Sequence, residues 1–99
     1  MKAHYQPIKK VYLAETNELL NYKDNLKAIF VVYSECFLQS IDVKRLIQIP
    51  FDLQIYQKKI YDVLYEADLK DYEFIIIEKP PQNEEWSAIN DKLRRMIAI

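Results

Sequence analysis

The chain has 99 residues, a formal net charge of -1 and a hydrophobic content of 51%. That describes one domain able to bury its own core; it excludes a disordered chain and lacks the basic footprint of a direct nucleic-acid binder. There is no glycine, which excludes Gly-x-Gly-x-x-Gly and P-loop phosphate cradles, since both need backbone without a Cβ to approach a phosphate.

Residues 1–8 read as an extended arm. Pro7 biases Gln6 away from helix, and His4 and Tyr5 can reach out from the segment. Such an arm is expected to fray unless a neighbouring surface takes it. Lys9 to Ala14 read as a first strand centred on Val11, Tyr12 and Leu13. Thr16 is placed to cap a short helix running to about Asn25, with Glu18 in its first turn and Leu19, Leu20 and Tyr22 along it. Ala28 to Tyr33 is a continuous β-branched and aromatic run, the pattern of a strand covered on both faces in a parallel sheet. It is far shorter than the ~20 residues that span a bilayer, and no apolar segment of signal-peptide type follows the polar first residues.

Residues 34–44 have no clean period and read as loop with a turn of helix. Leu46 to Ile49 form a short strand stopped by Pro50. Residues 51–67 carry Leu53, Tyr56, Ile60, Val63 and Ala67 at spacings of three and four, which predicts an amphipathic helix. Tyr61 and Tyr65 form a second stripe at its edge. Phe74 to Ile77 is another buried strand, followed by Glu78 and by Lys79-Pro80-Pro81, which cannot continue a ladder. Asn83 can cap a last helix in which Trp86, Ile89, Leu93 and Met96 share one face, with Glu84 and Glu85 at its start and Arg94 and Arg95 at its end. Asn90 and Asp91 fall off that face. Asp91 can pair with either arginine, but Asn90 has no comparable partner along the helix. The alternation of strands and helices predicts an α/β sandwich, mostly parallel, with right-handed crossovers.

Catalytic chemistry is hard to place. One histidine gives no metal constellation, and the single thiol, Cys36, has no cluster around it and reads as a buried structural cysteine of a cytoplasmic protein. Ser34-Glu35-Cys36 has no positioned base, since His4 lies on the arm. No catalytic or metal residues are expected in the chain itself.

Two stretches resemble a known family. Ala88-Ile89-Asn90-Asp91-Lys92-Leu93-Arg94-Arg95 resembles the terminal helix of two-domain threonylcarbamoyl-AMP synthases, and Met1-Lys2-Ala3-His4-Tyr5-Gln6-Pro7 resembles the linker that joins their YrdC-like catalytic domain to the smaller C-terminal domain. The linker pattern reads Gly-Met-x-x-His-Tyr-x-Pro. Glu84-Glu85-Trp86-Ser87 stands where the family commonly has Gly-Leu-Gly, and Ala3 where a basic or aromatic residue is usual. The resemblance implies a Rossmann-like three-layer α/β/α sandwich with four to five strands, in which residues 1–8 are the linker arm and 9–99 the accessory domain. It also implies a role in tRNA threonylcarbamoyladenosine modification, with ATP and Mg²⁺ bound by the catalytic domain that this chain lacks. That YrdC-like domain is the expected partner, in cis or in trans, with no direct nucleic acid and no membrane. His4, Tyr5 and Pro7 are then linker or interdomain residues, and Asn90, Asp91, Lys92 and Arg94 belong to the family helix. A free-standing, non-catalytic α/β interaction module is the alternative.

Overall fold

The computed structural model describes residues 5–97. Four parallel strands form one sheet: β1 (Lys10–Ala14), β2 (Ala28–Val32), β3 (Leu46–Gln48) and β4 (Phe74–Glu78), in the spatial order β1-β4-β2-β3. Registers are Val11 on Ile75, Ile29 on Ile75 and Phe30 on Leu46. Ile97 adds a single parallel bridge to Val11 beyond the β1 edge. The two helices are α1 (Leu53–Leu69) and α2 (Ser87–Met96). Every ladder is parallel, so the expected mostly parallel α/β sheet is found, with four strands.

The strands place alternate side chains on opposite faces, so the apolar runs fill two cores. On one face Val11, Ile29, Val31, Ile75 and Ile77 pack against Tyr56, Ile60 and Leu64 of α1 and Ile89 and Leu93 of α2. On the other, Ala28, Phe30, Val32 and Ile76 meet Leu19, Phe37 and Ile41. Both faces are covered as the strand pattern requires, but the second layer consists of short 3-10 turns and loops.

Several local expectations are corrected. The segment after β1 forms only a 3-10 turn, Leu19–Tyr22, with no side-chain cap. Leu19 is its one buried residue, and a single apolar position gives a short helix no stripe to bury. Thr16 turns its hydroxyl elsewhere, as described below. The long helix starts two residues later than expected, at Leu53, because Asp52 caps it by accepting from the Ile55 amide at 3.0 Å. Tyr61 is buried in the core, while Tyr65 is 42% exposed, so the two do not form one flanking stripe. Cys36 is exposed: in the turn Glu35–Phe37 the larger Phe37 takes the inward position. Asn83 does act as a cap, accepting from the Trp86 amide at 3.2 Å, but on the 3-10 turn Glu84–Trp86 that leads into α2. No helix among the described residues is long and apolar enough to cross a membrane.

Candidate functional site

The topology singles out one place on the sheet. The connections β1 to β2 and β2 to β3 travel one way across the sheet over the turn-covered face. The connections through α1 and α2 travel back over the opposite face, as crossovers of a single hand require. The outgoing connections of the neighbours β4 and β2 therefore diverge to opposite faces. In open parallel sheets that point, at the carboxyl ends of the strands, is where crevices form.

In this chain the crevice position is occupied by Glu78, the last residue of β4, which is 0% exposed. One carboxylate oxygen, Oε1, accepts from the backbone amides of Tyr33 (2.9 Å) and Ser34 (3.0 Å). The other, Oε2, accepts from the hydroxyls of Ser34 (2.6 Å) and Thr16 (2.7 Å). Three of these four donors, from Tyr33 and Ser34, lie just past β2 and one, from Thr16, just past β1, so a single side chain ties the ends of three adjacent strands. A buried carboxylate is tolerated when such donors surround it. The Tyr33 hydroxyl closes the node by donating to the Lys79 carbonyl at 2.9 Å, and burial together with the Glu78 charge raises its pKa, partly offset by Thr16. At the rim the Lys79 ammonium pairs with Glu15 at 3.2 Å.

A run of rings lies beside the node. Phe51 stacks between Tyr33 (centroids 4.9 Å apart) and Trp86 (5.5 Å), and Tyr56 meets Trp86 edge-on at 5.3 Å. The Tyr56 hydroxyl is buried without a hydrogen-bond partner among the described residues, and its pKa is raised chiefly by that burial. Chemically, the node is built to hold structure. A general base needs a lone pair within reach of a substrate proton; here both Glu78 oxygens already accept protein donors. Among the described residues no three His, Cys, Asp or Glu side chains converge to hold a metal ion.

Sequence reading missed Glu78 as a functional residue. Its signal was present: a charged residue directly ending a strand of continuous isoleucines must be paired if that strand is central.

The residues expected on α2 do different jobs. Asn90 is 5% exposed, which corrects its placement off the buried face. It lies one turn after Trp86 and three residues before Leu93, so it shares their side. Its Oδ1 accepts from the Gln82 amide at 2.9 Å, and its Nδ2 donates to the Pro81 carbonyl at 2.9 Å. The missing partner is thus the Pro80-Pro81-Gln82 loop, nine residues upstream of Asn90 at its Pro81 contact. Neither proline offers an amide for a ladder, so the side chains fasten the loop instead. Asp91 pairs with Arg94 at 2.8 Å on the exposed face, and Lys92 Nζ lies 5.8 Å from the Tyr61 ring centroid. Asn90→Ala should lower stability by about 1–3 kcal/mol, because it leaves the part-buried Pro81 carbonyl and a Gln82 donor without their partner. Chemical denaturation checks this, and an unchanged midpoint would show that the loop is fastened by other means.

The arm is not frayed where the structure describes it. Pro7 is buried and Tyr5 is half-buried, its ring edge-on to Tyr65 with centroids 5.5 Å apart. The Tyr5 hydroxyl donates to the Asp68 carboxylate, and burial, then that bond and the neighbouring charges, push its pKa up to about 12. His4 lies outside the described residues.

Fold and site together define a small parallel α/β domain whose buried polar side chains fasten its own strand ends and loops. The chain belongs to the family of threonylcarbamoyl-AMP synthase C-terminal domains, whose family model matches residues 1–96. Neither a curated protein nor a solved structure matches it.

Proposed function

We propose that this chain is the accessory domain of an L-threonylcarbamoyladenylate synthase and works with a YrdC-like catalytic domain, joined to it in cis or met in trans. The match of the family model over residues 1–96 carries the reading. It is supported by the site: the buried carboxylate at the sheet's crevice is saturated by protein donors. In this reading ATP, Mg²⁺ and threonine bind the catalytic domain, and the product serves tRNA threonylcarbamoyladenosine modification in the cytoplasm. Residues 1–8, with His4, Tyr5 and Pro7, act as the linker, and residues 9–99 as the accessory body. Asn90, Asp91, Lys92 and Arg94 maintain the shape of the helix that the family shares.

The test is reconstitution. The purified chain, given ATP, threonine and bicarbonate, should release no pyrophosphate. Titrated into a YrdC-like catalytic domain from a two-domain synthase, it should bind by calorimetry and change the rate of pyrophosphate release. Turnover by the chain alone, or absence of both binding and rate change, would overturn the proposal.

A further inference from the structure

Asp68 sits in the last turn of α1, where a negative charge opposes the helix dipole. What offsets this position is its set of partners, which all come from residues 5–9. Its Oδ2 accepts from the Tyr5 hydroxyl and from the Ile8 amide (2.8 Å), and its Oδ1 from the Lys9 amide (3.0 Å). The Lys9 ammonium donates to the Asp68 backbone carbonyl, placing a cation at the helix end that favours one. The Ile8 side chain is 91% exposed, so polar bonds rather than apolar burial hold the segment at that point. Pro7, with its fixed φ, joins the Tyr5 contact to the Ile8 and Lys9 contacts.

We propose that residues 5–9 form a strap latched by the Asp68 carboxylate, and that opening this latch frees the strap as a unit while the sheet and helices stay folded. Opening would change the direction in which chain preceding Tyr5 leaves the domain. Three donors depend on one carboxylate, so the loss of that group removes the tip contact and the backbone contacts together. The inference stands on these contacts and does not depend on the proposed synthase role.

Amide hydrogen exchange on the 99-residue chain tests it. In Asp68→Asn the side-chain amide cannot accept at both positions, so the Ile8 and Lys9 amides should exchange about tenfold faster or more. The amides of Ile75 to Ile77 should keep their protection, and α1 should not weaken, since a charge has left its unfavourable end. Tyr5→Phe should have a smaller effect, because both backbone bonds remain. The wild-type chain provides a measurement that needs no substitution: at low urea the strap amides should exchange through a local opening with little urea dependence, well below that of β4. Unchanged Ile8 and Lys9 protection in Asp68→Asn, or a wild-type urea dependence equal to that of β4, would overturn the latch.

Discussion

Ile76→Asp should abolish cooperative folding. Ile76 is 4% exposed and sits mid-strand in β4, which is flanked by β1 on one side and β2 on the other. Its side chain points into the second core, among Phe30, Leu19 and Phe37. The described members of that cluster are all apolar. Burying the charge, or protonating the group to avoid it, costs several kcal/mol. A domain of this size is stabilised by only about 5–15 kcal/mol in total, so most or all of the margin would go. Ile76→Val removes one methylene from the same site and should cost only about 0.5–1.5 kcal/mol. Circular dichroism against urea for the two variants separates charge from volume. A cooperative transition for Ile76→Asp near that of the wild type would mean that this face of β4 is accessible to water.

Glu78→Ala is the second large effect, and here the conservative variant is the informative one. Alanine leaves the Tyr33 and Ser34 amides and two hydroxyls without their acceptor at the ends of three strands. Each buried donor left without its acceptor costs about 1–3 kcal/mol, so the loss should reach several kcal/mol. In Glu78→Gln the side-chain carbonyl can still accept from both backbone amides. Its NH₂ group then faces the Ser34 and Thr16 hydroxyls, which can rotate to accept. That substitution should cost about 1–2 kcal/mol. Equilibrium denaturation should therefore rank wild type above Glu78→Gln and Glu78→Gln above Glu78→Ala. An alanine variant as stable as the wild type would show that water replaces the carboxylate at no cost and that the node does not hold the strand ends.

Glu78→Ala acts on the feature that distinguishes this sheet. The position at the diverging ends of β2 and β4 is taken by one buried glutamate, and the rings of Tyr33, Phe51 and Trp86 stack beside it.

The sequence by itself determined the elements whose residues repeat. Ala28 to Val32 and Phe74 to Glu78 are strands because continuous β-branched runs suit a surface covered on both sides. The helices around Tyr56, Ile60 and Leu64, and around Ile89 and Leu93, follow from spacings of three and four. The end motifs also carried the family, which the match over residues 1–96 shows. Periodicity reports which side of an element is apolar; it does not report what meets a lone polar residue. Tertiary structure alone decided that Asn90 faces Pro81 and Gln82, that Thr16 leaves its expected cap to reach Glu78, and that Tyr5 docks on Asp68. The last two contacts join residues 62 and 63 positions apart. The strand order β1-β4-β2-β3 places those partners side by side, and a buried polar group is then stable only where its donors already converge.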